Sequence, residues 1–296
     1  MIKEKVSIII PAKNEASSLD VLLPELTSRY PDFEIIVVDD GSDDATVEIS
    51  RKHGVEVYSH AINMGNGAAI KSGARNARGD ILVFMDADGQ HDPKDIPRLL
   101  EQFQFNYEMV VGARDFNTHA SFGRKWANRF YNKLATLMTG FPIKDLTSGF
   151  RAARARHFKK FLYLLPNGFS YPTTSTMAFF RSGFPVAYVP IKARQRTGKS
   201  HINLVQDGIK FLLIILKIGA LFSPMRFFLP VSMGLFFIGL GYYGFTFFAF
   251  GRFTNMSALL FMSSLLTFLI GIISEQISAL HYKGVEEDQR RTVRVR

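Results

Sequence analysis

Two aspartates spaced i, i+2, Asp86 and Asp88, close the apolar run Ile81-Leu82-Val83-Phe84-Met85. A short uninterrupted apolar run fits a buried parallel strand. If the chain stays extended beyond it, both carboxylates leave the same face. Two such groups side by side repel each other, and a cation relieves the repulsion. Carboxylate oxygens suit Mg²⁺ or Mn²⁺, and those ions in turn hold diphosphates. The ends of strands in an open α/β sheet are also where ligands bind. A plain solvated turn is the competing explanation, because turns favour Asp.

Four more apolar stretches share this pattern. Strands are predicted at Val6–Ile10, Glu34–Val38, Val55–Ser59, Ile81–Met85 and Met109–Gly112, with helices at Ser17–Ser28, Asp44–His53, Gly67–Ala77 and Pro93–Gln102. Strand–helix alternation of this kind builds a mainly parallel α/β sheet covered on both faces. Polar groups gather where the strands end. The first strand leads to Pro11, Lys13, Asn14 and Glu15, the second to Asp39, Asp40, Gly41 and Ser42, the fourth to Asp86, Asp88 and Gln90, and the fifth to Arg114. Each cluster alone could be a helix cap, Ser42 or Asp43 for instance. Four in succession point to a site.

The residues Pro11-Ala12-Lys13-Asn14-Glu15, Val38-Asp39-Asp40-Gly41-Ser42-Asp43-Asp44-Ala45-Thr46, Gly65-Asn66-Gly67 and Asp86-Ala87-Asp88-Gly89-Gln90-His91 together resemble family 2 glycosyltransferases with the GT-A (Rossmann-like) fold. More narrowly they resemble the dolichyl- or polyprenyl-phosphate sugar synthases, from Val6 to about His201. The resemblance implies that Pro11, Lys13, Glu15, Val38 and Asp40 hold the base and ribose of a nucleotide, with Ala87 beside them. Asp86, Asp88 and Gln90 would hold Mg²⁺ or Mn²⁺ on the sugar nucleotide. Gly67 and Ala68 would open a helix whose N-terminus approaches the nucleotide. Arg114 would meet a phosphate, and Arg124 and Lys125 the acceptor.

The run Arg196-Thr197-Gly198-Lys199-Ser200 resembles the family's Arg-x-x-Gly-x-Ser loop over the diphosphate, with the arginine two residues before the glycine instead of three. Either Arg194 or Arg196 would make the contact, with Lys199 near the acceptor phosphate. Asp145, in Asp145-Leu146-Thr147-Ser148-Gly149-Phe150, is the candidate general base. An acceptor phosphate is already anionic at neutral pH, so positioning is its other possible role. His91 and Trp126 read as structural. Arg151, Arg154, Arg156, Lys159 and Lys160 read as a solvated helix face.

Charge divides the chain. Residues 1–100 carry 11 Lys/Arg against 17 Asp/Glu, whereas the remainder carries 25 against 9. With no cysteine, disulfides and thiolate metal sites are excluded. No signal-peptide pattern opens the chain, since the first apolar run stops at Pro11, and the N-terminal domain is expected in the cytosol. Residues 227–250 and 253–274 carry no charge, and each stretch is long enough to cross a bilayer. Flanking Arg226, Lys283, Arg290, Arg291, Arg294 and Arg296 place both ends in the cytosol and the turn outside. Within the first span Gly239-Leu240-Gly241-Tyr242-Tyr243-Gly244 matches GxGxxG, but no strand precedes it, so helix packing is the better explanation. Before the spans, Asp207, Lys210 and Lys217 interrupt an apolar segment on one helical stripe, as in a helix lying on the membrane surface.

The expected organisation is a cytosolic GT-A domain over 1–201, an interfacial helix over 202–223, two spans over 224–282 (about 227–250 and 254–278) and a basic tail over 283–296. The resemblance implies an integral membrane enzyme of a bacterial or archaeal plasma membrane. It would move a hexose, with inversion, from a UDP- or GDP-linked sugar to a polyprenyl phosphate, with membrane lipids and a second copy of itself (a homo-oligomer) as candidate partners. Rival readings are a transferase acting on a glycolipid or polysaccharide, and a membrane protein that binds nucleotide sugars without turnover. The Gln-x-x-Arg-Trp motif of polymer synthases is absent. The acidic first hundred residues speak against nucleic acid.

Overall fold

The structure, a computed structural model, describes residues 4–114, 122–168, 170–192, 213 and 223–292. Side chains of 121–128, 130 and 281–292 fall outside the description. So do the Arg194–Lys199 loop and the segment expected to lie on the membrane surface. Contacts group the chain into two compact units, Met1–Lys133 with Pro142–Leu212, and Leu134–Phe141 with Leu213–Arg296.

In the first unit seven strands form one sheet, in the order β3-β2-β1-β4-β6-β5-β7. β1 (Val6–Ala12), β2 (Glu34–Asp39), β3 (Glu56–Ser59) and β4 (Ile81–Phe84) run parallel. Helices α1 (Ala16–Arg29), α2 (Thr46–Lys52) and α3 (Asn66–Asn76) make the crossovers between them, and α4 (Ile96–Glu101) precedes β5 (Met109–Arg114). The apolar β1 and β4 are buried along their whole length, as strands covered on both faces must be. Their side chains pack with Leu19, Leu22, Leu23 and Leu26 of α1 and Ile96 and Leu99 of α4.

Two strands were not expected. β6 (Arg151–Arg154) lies antiparallel between β4 and β5, and β7 (Val186–Ile191) extends the sheet parallel to β5. The stretch expected to be one solvated helix therefore divides. Arg151–Arg154 is strand, and only α6 (Ala155–Lys160) is helix. The described part of α5 spans Phe122–Thr139, and α7 covers Tyr171–Arg181. β7 contains Pro190, which an edge strand tolerates.

In the second unit α8 (Pro224–Phe250) and α9 (Asn255–Thr292) form a hairpin. The second helix runs on past the end expected for it at 278. Ser232 Oγ donates to Ser264 O at 2.9 Å, and Ser264 Oγ donates to Ser232 O at 2.8 Å, a reciprocal polar clasp between two apolar helices. Gly239 brings α8 close to Leu260 and Phe261. That is the packing role expected of at least this glycine in the GxGxxG run. Glu275 Oε2 accepts the Met225 N–H at 3.3 Å. Arg226 Nη1 donates to the carbonyls of Leu137 and Met138, where the negative end of α5 favours a cation. Both hairpin helices are long and apolar enough to cross a membrane, and only 11% and 17% of their most apolar windows are buried. A core helix of a soluble protein would be mostly covered.

Candidate active site

At the C-terminal edge of the sheet the loops after β1 and β2 are tied together. Asn14 adopts a left-handed conformation with φ 54°, which Asn tolerates. Its N–H donates to Ser42 Oγ at 2.9 Å, and its Oδ1 accepts the Asp43 N–H at 2.8 Å. Glu15 N–H donates to Thr46 Oγ1, and Ala16 N–H to Asp44 Oδ2. Ser42 and Asp44 are thus used between loops. Ser42 does not cap α2, and that helix starts two residues later than expected. Pro11 and Val38 are buried in their strands, while Lys13 is exposed and Glu15 half-exposed.

Asp40 is buried and fully engaged. Oδ1 accepts from His60 Nδ1 at 2.8 Å and from the Met64 N–H at 2.9 Å, and Oδ2 accepts the Gly65 N–H at 2.7 Å. Burial pushes its carboxyl up, but His60 and the two backbone donors outweigh that and hold it below the usual carboxylate range. Asp40 therefore shapes the loop over 60–65. His60 Nε2 reaches Ser72 Oγ of α3 at 2.8 Å, which ties this loop to the helix.

The expectation for Gly67 and Ala68 is corrected. The N-terminus of α3 is not open to a ligand at these residues: Gly67 N–H donates to Gly168 O at 3.2 Å, and Ala68 N–H to Asn167 O at 3.0 Å. Residues 166–168 pack so tightly there that a Cβ on Gly65 would stand 2.6 Å from Asn167 O, and one on Gly67 would overlap Pro166 O. Lys71 of α3 holds the same loop through Leu165 O and Asn167 Oδ1. The two glycines admit a backbone segment of this chain.

Asp86, Asp88 and Gln90 stand half-exposed past β4, with Ala87 buried between the aspartates. Here too the geometry differs from expectation. The strand ends at Phe84, and the chain turns through Ala87 and Asp88, with Asp88 Oδ1 accepting the Gln90 N–H at 3.1 Å and Gly89 at φ 71°. The premise of an extended chain carrying both carboxylates on one face does not hold. On one side of Asp86, a Cβ on Gly149 would stand 2.5 Å from Oδ2, so glycine makes the room this carboxylate occupies. Below it, His91 is buried against Phe150, their rings 5.0 Å apart. Its Nδ1 accepts the Asp86 N–H at 3.3 Å. Burial holds this imidazole down to about 4, with the nearby Asp88 charge opposing.

These donors fit a small hard cation. Two carboxylates and an amide oxygen come from one turn. Among the described residues no three His, Cys, Asp or Glu groups could hold an ion by themselves. A cation here would complete its shell from a ligand, which is how Mg²⁺ is usually held.

Arg114 ends β5 beside this turn. Its Nε donates to Asp145 Oδ2 at 2.9 Å, and its Nη2 to Asp145 Oδ1 at 3.1 Å and Thr147 Oγ1 at 2.6 Å. Asp145 is fully buried and also accepts the N–H groups of Arg114, Thr147 and Ser148. Burial raises the Asp145 carboxyl, but the Arg114 pairing overrides this and keeps it below the usual range. Both oxygens are committed to donors, a geometry that aims Arg114 and offers no base to a ligand. The Asp86 charge also acts on Arg114, helping to keep it cationic against burial.

The structure therefore brings Asp86, Asp88, Gln90, Arg114 and Asp145 into one neighbourhood, with Pro11, Lys13, Glu15 and Asp40 on the adjoining strand ends. Arg124 and Lys125 lie on α5, with side chains outside the description. Arg194, Arg196 and Lys199 lie outside the described residues. Sequence reasoning missed His60, Gly149, Arg151 and Tyr171. A signal existed for Gly149, which follows Asp145 at the spacing of a tight loop. Arg151 was hidden among four other basic residues.

Comparison with known proteins agrees with this architecture. Residues 7–162, more than half of the chain, match the glycosyl transferase family 2 model. Residues 223–280 match the GtrB C-terminal hairpin. An undecaprenyl-phosphate 4-deoxy-4-formamido-L-arabinose transferase of Pseudomonas fluorescens is 34% identical over 58% of this chain and 56% of its own length. The transferase of the same name from Photorhabdus laumondii is 37% identical over 52% of this chain and 50% of its own. The chain thus spans about half the length of these curated relatives. An uncharacterized Methanocaldococcus jannaschii protein is 32% identical over 64% of this chain and 82% of its own length. Glucosyl-3-phosphoglycerate synthase from Mycobacterium tuberculosis, solved with Mn²⁺ and UDP-glucose, superimposes with a TM-score of 0.58 at 21% identity, over 72% of this chain and 79% of that one. At that identity the likeness establishes the GT-A-like fold alone. On these matches, the chain belongs to glycosyl transferase family 2 and carries, behind the family domain, a GtrB-type C-terminal hairpin.

Proposed function

We propose that this protein transfers a monosaccharide from a nucleoside-diphosphate sugar to a polyprenyl phosphate, with inversion at the anomeric carbon. One observation carries the reading: an Asp86/Asp88 turn at the sheet's C-terminal edge occurs in the same chain as a GtrB-type hairpin. The relatives named for undecaprenyl-phosphate transfer support the acceptor class. Their sugar, a formamido-arabinose, is not a hexose, so hexose is only one of the sugars to be tried.

Asp86, Asp88 and Gln90 would hold Mg²⁺ or Mn²⁺, which supplies neutralisation of the charge that develops on the departing diphosphate. Pro11, Lys13, Glu15 and Val38 would frame the nucleotide, UDP or GDP, with Asp40 shaping the loop over 60–65 beside it. Arg114, aimed by Asp145, would place fixed positive charge where negative charge grows. Preorganised donors of this kind are worth most in a site that excludes water. Arg194 or Arg196 would contact the diphosphate, and Arg124, Lys125 and Lys199 would draw in the acceptor phosphate. That oxygen is anionic at neutral pH and attacks from the side opposite the diphosphate, so no general base is needed, and Asp145 serves as a positioning residue. The hairpin keeps the chain in the membrane where the acceptor resides. The basic residues at its outer ends support a cytosolic active site.

The test is mass spectrometry of lipid products after incubating the full chain in bilayers with undecaprenyl phosphate and a panel of UDP- and GDP-linked hexoses and pentoses. A prenyl-phosphate monosaccharide is expected from one donor class. Donor binding without any lipid product across the panel would favour a non-catalytic nucleotide-sugar binder.

A further inference from the structure

Arg151 sits on β6 between β4 and β5, completely buried. Its partners among the described residues are all neutral. Nε and Nη2 both donate to Ser148 O, at 3.1 and 2.5 Å. Nη1 donates to Pro172 O at 2.8 Å, to Ser175 Oγ at 2.8 Å and to Thr176 Oγ1 at 3.1 Å, all on α7. A guanidinium keeps its proton in a protein, so this is a permanent charge with no carboxylate bonded to it. Burying such a charge is costly, and a well-packed apolar side chain of similar volume usually gives a fold at least as stable. Core packing alone does not account for an arginine here.

What the arginine grips is informative. Ser148 O is held by Arg151, and the next carbonyl, Gly149 O, is held by the hydroxyl of buried Tyr171 at 3.1 Å. The same short loop presses the bare Cα of Gly149 against the Asp86 carboxylate. At its other end, the N–H groups of Thr147 and Ser148 hold Asp145, which aims Arg114. The loop 145–149 is thus a wedge between the two halves of the site, fixed from behind by two buried side chains.

We propose that Arg151, assisted by Tyr171, is a positioning residue for the cation–diphosphate site: by clamping the Ser148 and Gly149 carbonyls it fixes the loop that sets the Asp86 carboxylate and the Asp145–Arg114 pair. This rests on the metal role assigned to Asp86 and Asp88 above. Partners that orient a metal's ligands typically change metal affinity or activity by about ten- to a hundredfold when removed.

The test is Mn²⁺ binding to the detergent-solubilised full chain with UDP, and separately GDP, present. Free Mn²⁺ is read by electron paramagnetic resonance, beside a thermal melt of each variant. Wild type should bind, and Asp86→Asn should not. If wild type does not bind, or Asp86→Asn binds equally well, the metal reading itself fails and this inference falls with it. With that reading intact, Arg151→Lys and Arg151→Met should weaken Mn²⁺ binding by about tenfold or more. Tyr171→Phe should weaken it less, at an unchanged melting midpoint. Leu23→Ala, a core change on α1, should lower the midpoint and leave Mn²⁺ affinity as in wild type. Wild-type affinity in Arg151→Lys would overturn the proposal, as would a loss that Leu23→Ala matches at equal midpoint. If neither Arg151 variant folds, Tyr171→Phe decides: weaker Mn²⁺ binding upholds the clamp, and unchanged binding overturns it.

Discussion

Gly149 leaves Asp86 little room to swing, and Asp88 Oδ1 is engaged by the Gln90 N–H in its own turn; the proposed cation site rests on these two carboxylates. Asp88→Ala is expected to leave a folded, membrane-bound protein whose transfer rate falls on the order of a thousandfold, the several kcal/mol that a bound cation gives a developing anion. Gly149→Ala would push its new methyl into Asp86 and should reproduce much of that loss, with little change in a thermal melt. His91 makes a separate test. Its folded proton affinity lies near 4, below the ordinary imidazole value of about 6.5, so between those values the unfolded chain binds a proton that the metal-free fold does not. Stability is therefore complete above about pH 6.5 and declines as pH falls toward 4, by up to about 3 kcal/mol. Denaturation at pH 7 and pH 4.5 should show that decline in wild type and a flatter profile in His91→Asn. The placement of Asp86, Asp88 and Arg114 at strand ends was legible in the sequence, because the apolar runs before them mark where β4 and β5 stop. Arg151 was not legible, because nothing in a run of basic residues says which one faces inward.

Among the elements, the parallel half of the sheet could be read from the apolar runs of β1, β2 and β4. β6 could not, because its four residues carry two arginines and lie inside a helix-like charge pattern. β7 was hidden because Pro190 stands within it, a residue that argues against a strand. The N-terminus of α3 is the clearest case of tertiary structure overriding a local signal. A glycine-rich helix start invites an anion, yet a distant loop supplies carbonyls to it first. Gly67→Ala should consequently destabilise the fold by about 1–3 kcal/mol through overpacking against Pro166, read as a lowered denaturation midpoint. A nucleotide-facing glycine would instead lose donor affinity at unchanged stability.

For the molecule as a whole, the division of labour shows in charge and hydropathy: an acidic first hundred residues, then a basic stretch, precede two uncharged stretches. The two long apolar helices were legible by length. The Ser232–Ser264 clasp was not, because it depends on the register of two helices. Replacing both serines with alanine should weaken the hairpin by about 1 kcal/mol, seen as easier helix separation in a detergent titration. The protein itself should stay in the membrane pellet after alkaline carbonate washing. The most direct check on a cation-dependent sugar-nucleotide site is anomalous diffraction from crystals of the full chain grown with Mn²⁺ and a nucleoside diphosphate. An anomalous peak bonded to Asp86 and Asp88 and to the diphosphate oxygens is expected. A bound nucleotide with no manganese on those aspartates would contradict the account.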